Sequence, residues 1–221
     1  MFKDFYIYDI KEDLRQYSDD SDISLSHISF LIDDTRALLL RQKYKNPGSI
    51  IPSSIKQRLH FDLEITDDNE FISLDTLLRT TTALPKLVES ADFMRDIQID
   101  GGGLADIKVI LVPNQRFPYI GFNRFLSNLI YTTLGQDYKL YFKAGNTRYK
   151  TLQKIRVFGV FENPKEAWEA SANYDSDVDF NSEVDYPIDL DMWVQMKDII
   201  MQQYMRAMQI PEDKQNNADE L

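Results

Sequence analysis

Tyr149-Lys150-Thr151-Leu152-Gln153-Lys154-Ile155-Arg156-Val157-Phe158-Gly159-Val160-Phe161-Glu162-Asn163-Pro164 is the stretch that decides the architecture. Leu152, Ile155, Val157 and Val160 supply apolar, β-branched character, and Lys154, Arg156 and Phe158 interleave with them. That alternation predicts a strand. Asn163-Pro164 stops it, and an acidic run and a long final helix follow.

Upstream of this strand, residues 54–160 read mostly as β. Leu59, Phe61, Leu63 and Ile65 alternate with Arg58, His60, Asp62 and Glu64, the pattern of a half-buried strand. Asp67-Asp68-Asn69 reads as a turn into a strand over residues 70–74. Ala91–Ile99 and Ala105–Val112 flank Gly101-Gly102-Gly103 and predict a hairpin. Leu129–Leu134 and Tyr138–Lys143 flank Gly135-Gln136-Asp137 and predict another, with a further turn at Gly145-Asn146. Residues 122–130 fit either a strand or a short helix, since Phe122, Phe125, Leu126 and Leu129 also match the helical period.

Helices are expected on both sides of this β region. Leu25–Tyr44 follows Ser24 as N-cap, with Ile23 and Ile28 placed as a hydrophobic staple. Ile28, Leu31, Ile32, Thr35, Leu38 and Leu39 form its apolar face, and Asn46-Pro47-Gly48 ends it. Near the other end, Pro164 opens a short helix over Lys165–Ala172. Asp189 caps Leu190–Met208, where Leu190, Trp193, Val194, Met201, Tyr204 and Met208 share a face and Ile188 and Trp193 form a staple. The fold class is therefore α+β, with long N- and C-terminal helices able to form one bundle and a β-rich antiparallel insertion between them. The expected divisions are 1–53 (arm and helix), 54–163 (β insertion), 164–210 (C-terminal helical region) and 211–221 (polar tail). Within 1–20, Phe2, Phe5, Tyr6, Ile7, Tyr8 and Ile10 read as docking side chains of an arm. It lies either on its own core or across a neighbour.

Composition bounds the function. The chain has 221 residues, 43% hydrophobic, with 12 Tyr and 13 Phe, which is enough to fold around a core. There is no cysteine, so disulfides, thiolate metal sites and cysteine nucleophiles are excluded. The only histidines are His27 and His60, too few for a multi-histidine metal site. A net charge of −11 argues against a grip on nucleic acid but not against DNA passing close by. No apolar run reaches the about 18 residues that cross a bilayer, and the N-terminus lacks a signal-peptide core. The expectation is a soluble protein that does not use that secretory route, with no membrane contact and no cofactor.

Three constellations bear on chemistry. His60, Asp62 and Glu64 fall on one strand face and pose a metal or acid–base reading, against which stands an ordinary solvent-facing strand. Gly101-Gly102-Gly103 lacks the following Lys-Ser/Thr helix of a phosphate loop and reads as a turn. Asp175, Asp177, Asp179, Asn181, Glu183 and Asp185 occupy every second position. A calcium loop would place Gly at its sixth position and Glu at its twelfth, but Phe180 and Tyr186 stand there. Residues 162–191 hold ten acids and one Lys, a net of −9. This strip either meets a basic partner, lines a DNA passage, or is a solvated loop. No hydrolase or nucleotide fingerprint is present, and an enzyme is not expected.

Several segments together resemble the head–tail connector (adaptor or ring) proteins of short-tailed phages, above all the crAss-like type. They are Ile23-Ser24 with Phe30-Leu31-Ile32 and Arg36-Ala37-Leu38-Leu39, then Phe117-Pro118-Tyr119-Ile120-Gly121. Ile155–Pro164, Tyr186-Pro187-Ile188 and the polar ending Pro211–Asp219 complete the set. The resemblance implies a non-enzymatic virion structural protein made in the host bacterial cytoplasm. It further implies self-association into a ring, commonly of twelve copies, below the portal. Portal and neighbouring tail or ring proteins would be its partners, and DNA would pass through without specific binding. Candidate interface residues on the two helices are Ile28, Leu31, Leu38, Trp193, Met201 and Tyr204. Asp175, Asp177, Asp179, Glu183 and Asp185 form the candidate acidic lumen or partner strip. Two other readings remain: another tail-hub or stopper-like module, and a small enzyme centred on His60, Asp62 and Glu64.

Overall fold

The computed structural model describes residues 1–17, 24–44, 50–66, 77–88, 96–99, 109–120, 129–145 and 147–208. Several expectations lie outside the described residues: the strand at 70–74, the Gly101–Gly103 and Asn46–Gly48 turns, the Ile23 half of the first staple, most of 122–130 and the polar tail. Two helices come first, α1 (Lys3–Tyr17) and α2 (Leu25–Lys43). Seven strands follow: β1 (Gln57–Thr66), β2 (Leu77–Thr80), β3 (Asp96–Ile99), β4 (Val109–Leu111), β5 (Ile130–Leu134), β6 (Leu140–Ala144) and β7 (Lys154–Gly159). The chain then returns to helix as α3 (Pro164–Glu169), α4 (Phe180–Glu183) and α5 (Leu190–Met208).

All seven strands belong to one sheet in the order β3-β7-β1-β2-β6-β5-β4. The long β1 changes partner midway. Gln57–Asp62 pairs with β7, and Leu63–Thr66 pairs with β2. The two edge strands, β3 and β4, approach one another, so the sheet curls. Its alternation is the one expected as far as Leu63: Leu59, Phe61, Ile155 and Val157 are buried inside the curl with Phe142 and Leu140, but at the end of β1 Ile65 is 59% exposed and Thr66 is buried instead. The Gly135–Tyr138 turn is also as expected. Tyr138 N donates to Gly135 O at 3.2 Å, and Tyr138 takes the left-handed φ of 58° that closes it.

The 91–112 hairpin is corrected. β3 pairs with β7, whereas β4 runs parallel to β5 at the far edge. A glycine turn says that the chain reverses nearby, but not which sheet edges are open to receive each arm. The insertion is consequently antiparallel at every pairing except β4–β5.

The N-terminal arm is a helix, and of its two expected placements it takes the one on its own core. Tyr6, Ile7, Ile10 and Leu14 recur at helical spacing and are buried in the protein's own core. That core also takes Ile28, Ile32, Leu39 and Leu40 of α2 and Met192, Trp193, Met196, Ile200 and Met201 of α5. α2 runs antiparallel to α5: the His27 ring lies 5.9 Å from Tyr204, while Tyr44 at the other end feels the charge of Asp189. α1 runs parallel to α5, because Tyr6 meets Trp193 at 4.3 Å and Asp9 and Asp13 both reach Lys197.

The helix caps follow the sequence in part. Asn163 Oδ1 accepts from Lys165 N and Glu166 N, so the Asn-Pro stop of the strand is also the start of α3. Ser24 precedes α2, but its hydroxyl bonds Ser26 Oγ instead of a helix N–H. Asp189 accepts the first helical bond of α5 from Trp193 N through its carbonyl, and its carboxylate takes Ser54 Oγ at 2.6 Å.

One polar node joins the helical core to the sheet core. Arg36, fully buried on α2, donates from Nε to Pro187 O and from Nη1 to Phe161 O, both at 2.8 Å. Its guanidinium lies 5.8 Å from the Tyr186 ring centroid. Tyr186 donates to Asp33 Oδ1 at 2.7 Å, and Asp33 Oδ2 accepts from the buried Lys3 at 2.6 Å. Burial lowers the Arg36 pKa from its ordinary value, opposed by Tyr186 and Asp33. Burial and then the Asp33 charge raise Tyr186 well above 10.0. Replacing Arg36 with Met keeps the stem but orphans two buried carbonyls. We expect a loss of about 2–5 kcal/mol, read as a shift of the urea midpoint. A midpoint within experimental error of wild type would show that the node is dispensable.

Alkaline stability follows from the same groups. Tyr186, Tyr6, Tyr44 and Tyr204 are all raised, chiefly by burial. Burial lowers Lys197, but the hydrogen bonds it donates to Asp13 and Asp9 outweigh that, so Lys197 is raised as well. For each of these groups the unfolded chain loses its proton first, so their stabilisation is complete below pH about 10 and falls above it. Urea melts at pH 9 and pH 11 should show that decline, and Tyr186→Phe should make it shallower. An identical slope in the variant would remove Tyr186 from the explanation.

Candidate assembly surfaces

Asp175, Asp177, Asp179, Glu183 and Asp185 are all exposed. The segment consists of turns and the four-residue α4. Asp175 Oδ1 accepts from Asp177 N at 3.0 Å. Asp179 caps α4, taking Asn181 N at 3.2 Å and Ser182 Oγ at 2.9 Å. Such a cap is worth about 1 kcal/mol. Asp185 meets the Met1 ammonium, and Tyr186 N donates to Met1 O at 3.0 Å. Asp177 and Glu183 contribute exposed negative charge through carboxylates that take no part in these bonds.

Of the six helix residues singled out, Ile28, Trp193 and Met201 are buried in the protein's own core, and Leu31 and Tyr204 pack partly against it. Leu38 is exposed. The expected faces are thus slightly rotated. Leu190 and Val194, placed on the apolar face of α5, are also exposed. Further exposed apolar side chains lie out of phase with the core. Phe30 follows Ile28 by two residues, which turns it about 200° around α2, and it stands in solvent. Phe5 and Tyr8 do the same on α1, and Tyr119 projects from the Phe117–Tyr119 turn. Off-phase large apolar residues on otherwise amphipathic helices were the available signal.

His60, Asp62 and Glu64 do share the outer side of β1. Asp62 is engaged by Lys154 at 3.5 Å, and Glu64 by Arg79 at 2.7 Å and Lys139 at 3.9 Å. The carboxylates are therefore held by cations on neighbouring strands. Among the described residues, no group of three His, Asp or Glu side chains could hold a metal ion. The His60 backbone is tied to the segment after α3, its N–H to Ser171 Oγ at 3.1 Å and its carbonyl to Ala172 N at 2.7 Å. A cleft of about 490 Å³ opens there, lined among others by Lys56, Arg58, His60, Trp168 and Tyr186. No helix of the described residues is long and apolar enough to cross a membrane.

Comparison with known proteins covers almost the whole chain. The family model described as phage tail ring protein 2 matches residues 6–220. "Ring protein 2" of Bacteroides phage crAss001 is 26% identical over 223 residues, which span 96% of this chain and 94% of that protein. Both matches run through the helices and the curled sheet alike.

Proposed function

Because the chain belongs to the phage tail ring protein 2 family, we propose that it is a structural subunit of a ring in the virion, seated in the head–tail connector below the portal. The observation that carries this reading is the extent of the family match, residues 6–220, which includes both cores. The similarity to a ring protein of a crAss-like phage over 96% of the chain supports it. The shared helical core of α1, α2 and α5 supports the terminal helices as one bundle that stiffens each subunit. In this proposal about twelve copies close around the channel, contacting the portal and neighbouring tail or ring proteins, with no catalysis. The packaged genome passes through without being gripped, in keeping with the net charge of −11. The other reading, a tail-hub or stopper-like module, shares the family's particle but not the position in it.

Negative-stain imaging of the purified protein, alone and mixed with the portal of the same phage, tests the reading. Closed rings of uniform, near twelve-fold symmetry that stack on the portal are expected. A monomer that ignores the portal would transfer the assignment to the tail-hub alternative. The acidic segment is proposed to face the channel or a basic partner. Asp177→Asn with Glu183→Gln removes charge while sparing the Asp179 cap, so the melting temperature should hold. DNA ejection or docking onto the portal should slow measurably. Particles that assemble and eject at the wild-type rate would sink this role for the segment.

A further inference from the structure

The edge of β1 that faces away from β7 is filled in steps and then stops. On that edge Asp62 O accepts from Thr81 N at 3.0 Å, and His60 gives its N–H to Ser171 Oγ and its carbonyl to Ala172 N. Main-chain groups face one edge at every second residue, so the next pair along it is the N–H and C=O of Arg58. Arg58 stands opposite Phe158 in the same phase as His60 opposite Arg156, so β7 does not use that pair. Among the described residues no other main-chain group bonds them. The cleft of about 490 Å³ opens at this point, with Arg58, Trp168 and Asn173 in its lining. An unfilled strand edge inside a cleft is a site for an extended peptide, which joins the sheet as a further short strand.

Two lining side chains carry polar atoms that lack partners. Trp168 Nε1, a donor, and Gln57 Oε1, an acceptor, are buried and unmatched among the described residues. Such atoms are rare in native proteins, and a peptide backbone supplies both an acceptor and a donor. Charge narrows the guest. Arg58 is exposed and forms no ion pair among the described residues, and Lys56 lines the same stretch of β1. Asp185 and the acids of residues 175–183 border the cleft through Val184 and Asn173. They repel an acidic guest, which therefore seats along β1 beside Arg58.

We propose that this cleft takes the acidic C-terminal segment of the neighbouring copy, residues 209–221, paired as an extended strand along Arg58. This inference rests on the ring reading above and names a contact that links one copy to the next. Residues 209–221 lie outside the described residues and carry Glu212, Asp213, Asp219 and Glu220 against Lys214. Ile210, Ala218 and Leu221 are too few to bury as a core of their own. The family match runs to residue 220 and so includes the segment almost to its end. Length favours exchange between copies. Ser54 lines the cleft and bonds Asp189, which places the cleft at the start of α5. The segment leaves from Met208 at the other end of that helix, about 27 Å away at 1.5 Å per residue. Fully extended it spans about 40 Å, so a return to its own cleft would consume most of it, whereas a neighbour is reached without reversal. Cleft and segment at opposite ends of one helix are two different, complementary sites, as a ring closing by rotation requires.

The chain has no cysteine, so introduced thiols are unique. Two full-length variants, Asn173→Cys in the cleft lining and Asp213→Cys in the segment, are mixed in equal amounts and treated with a short bismaleimide. A covalent dimer is expected in the mixture and in neither variant alone. A chain carrying both cysteines should give a ladder of larger species. Adding Arg58→Gln to the Asn173→Cys chain removes an exposed charge and should lower the dimer yield about twofold. Arg58→Pro also removes the N–H that faces the cleft, which an edge position can spare, and should lower the yield by about tenfold or more with wild-type circular dichroism. A yield unchanged by Arg58→Pro overturns the pairing along β1. No dimer in a mixture that forms rings under negative stain, or a link found only within single chains carrying both cysteines, overturns the exchange and leaves the ring reading intact. A wild type that forms no ring, alone or with portal, overturns both.

Discussion

Two hydrophobic cores that share no side chain are held in one orientation by the buried guanidinium of Arg36. Val160 belongs to the helical core and Phe161 to the sheet core, so the chain passes from one to the other within a single peptide. Arg36 binds the Phe161 carbonyl at that crossing and the Pro187 carbonyl on the approach to α5. Apolar contact alone is non-directional and would tolerate rotation of the helical layer over the sheet. Fixed donors on a planar cation do not. The charge is costly to bury, and its cost is offset by two carbonyls, an aromatic face, and Asp33 held between Tyr186 and Lys3. Removing any one of these partners leaves another stranded, which makes the junction cooperative.

A fixed junction turns the helical layer into a rigid bracket. Arg41 extends the tie from the same helix, donating to Val88 O at 3.0 Å and meeting Glu162, which Lys86 also reaches at 2.9 Å. α2 is therefore anchored to the sheet along its second half. Gly159 is part of this economy of space. A Cβ there would lie 2.9 Å from the Phe161 ring, so only glycine lets β7 end with Phe161 folded back into the sheet core.

Much of this was legible in the residues, and the losses have identifiable causes. The bounds of α2 and α5, the β1 alternation and the Asn163-Pro164 transition depend on local periodicity and capping, which act over a few residues. α1 was hidden because Phe2, Phe5 and Tyr8 interleave with Tyr6, Ile7 and Ile10, so two helix faces both look apolar. The β3–β4 hairpin failed because pairing is decided by which edges β7 and β5 leave open, a long-range matter. Arg36 and Asp33 read as ordinary charges on a helix. Only the fold brings Tyr186 and Phe161 to them from more than a hundred residues away. The spacing of the acids over 175–185 reflects turns and the Asp179 cap of α4, which the sequence pattern alone does not reveal.

Self-repulsion sets the terms on which such a subunit can assemble. Each copy carries −11, and neighbours in a closed ring are held within a few ångströms of one another at their contacts. At physiological ionic strength charges are screened beyond about 8 Å, so repulsion between distant parts of two subunits is weak, but across a tight junction it is not. A contact built from carboxylates would therefore oppose closure. Burial of apolar side chains, by contrast, is nearly blind to charge and is worth about 25 cal/mol per Å², and Phe30, Leu38, Phe5, Leu190 and Val194 stand exposed. The same helices present both kinds of side chain to solvent: Phe5 and Glu12 on α1, Phe30 and Asp34 on α2, and Val194 and Asp198 on α5 are all exposed.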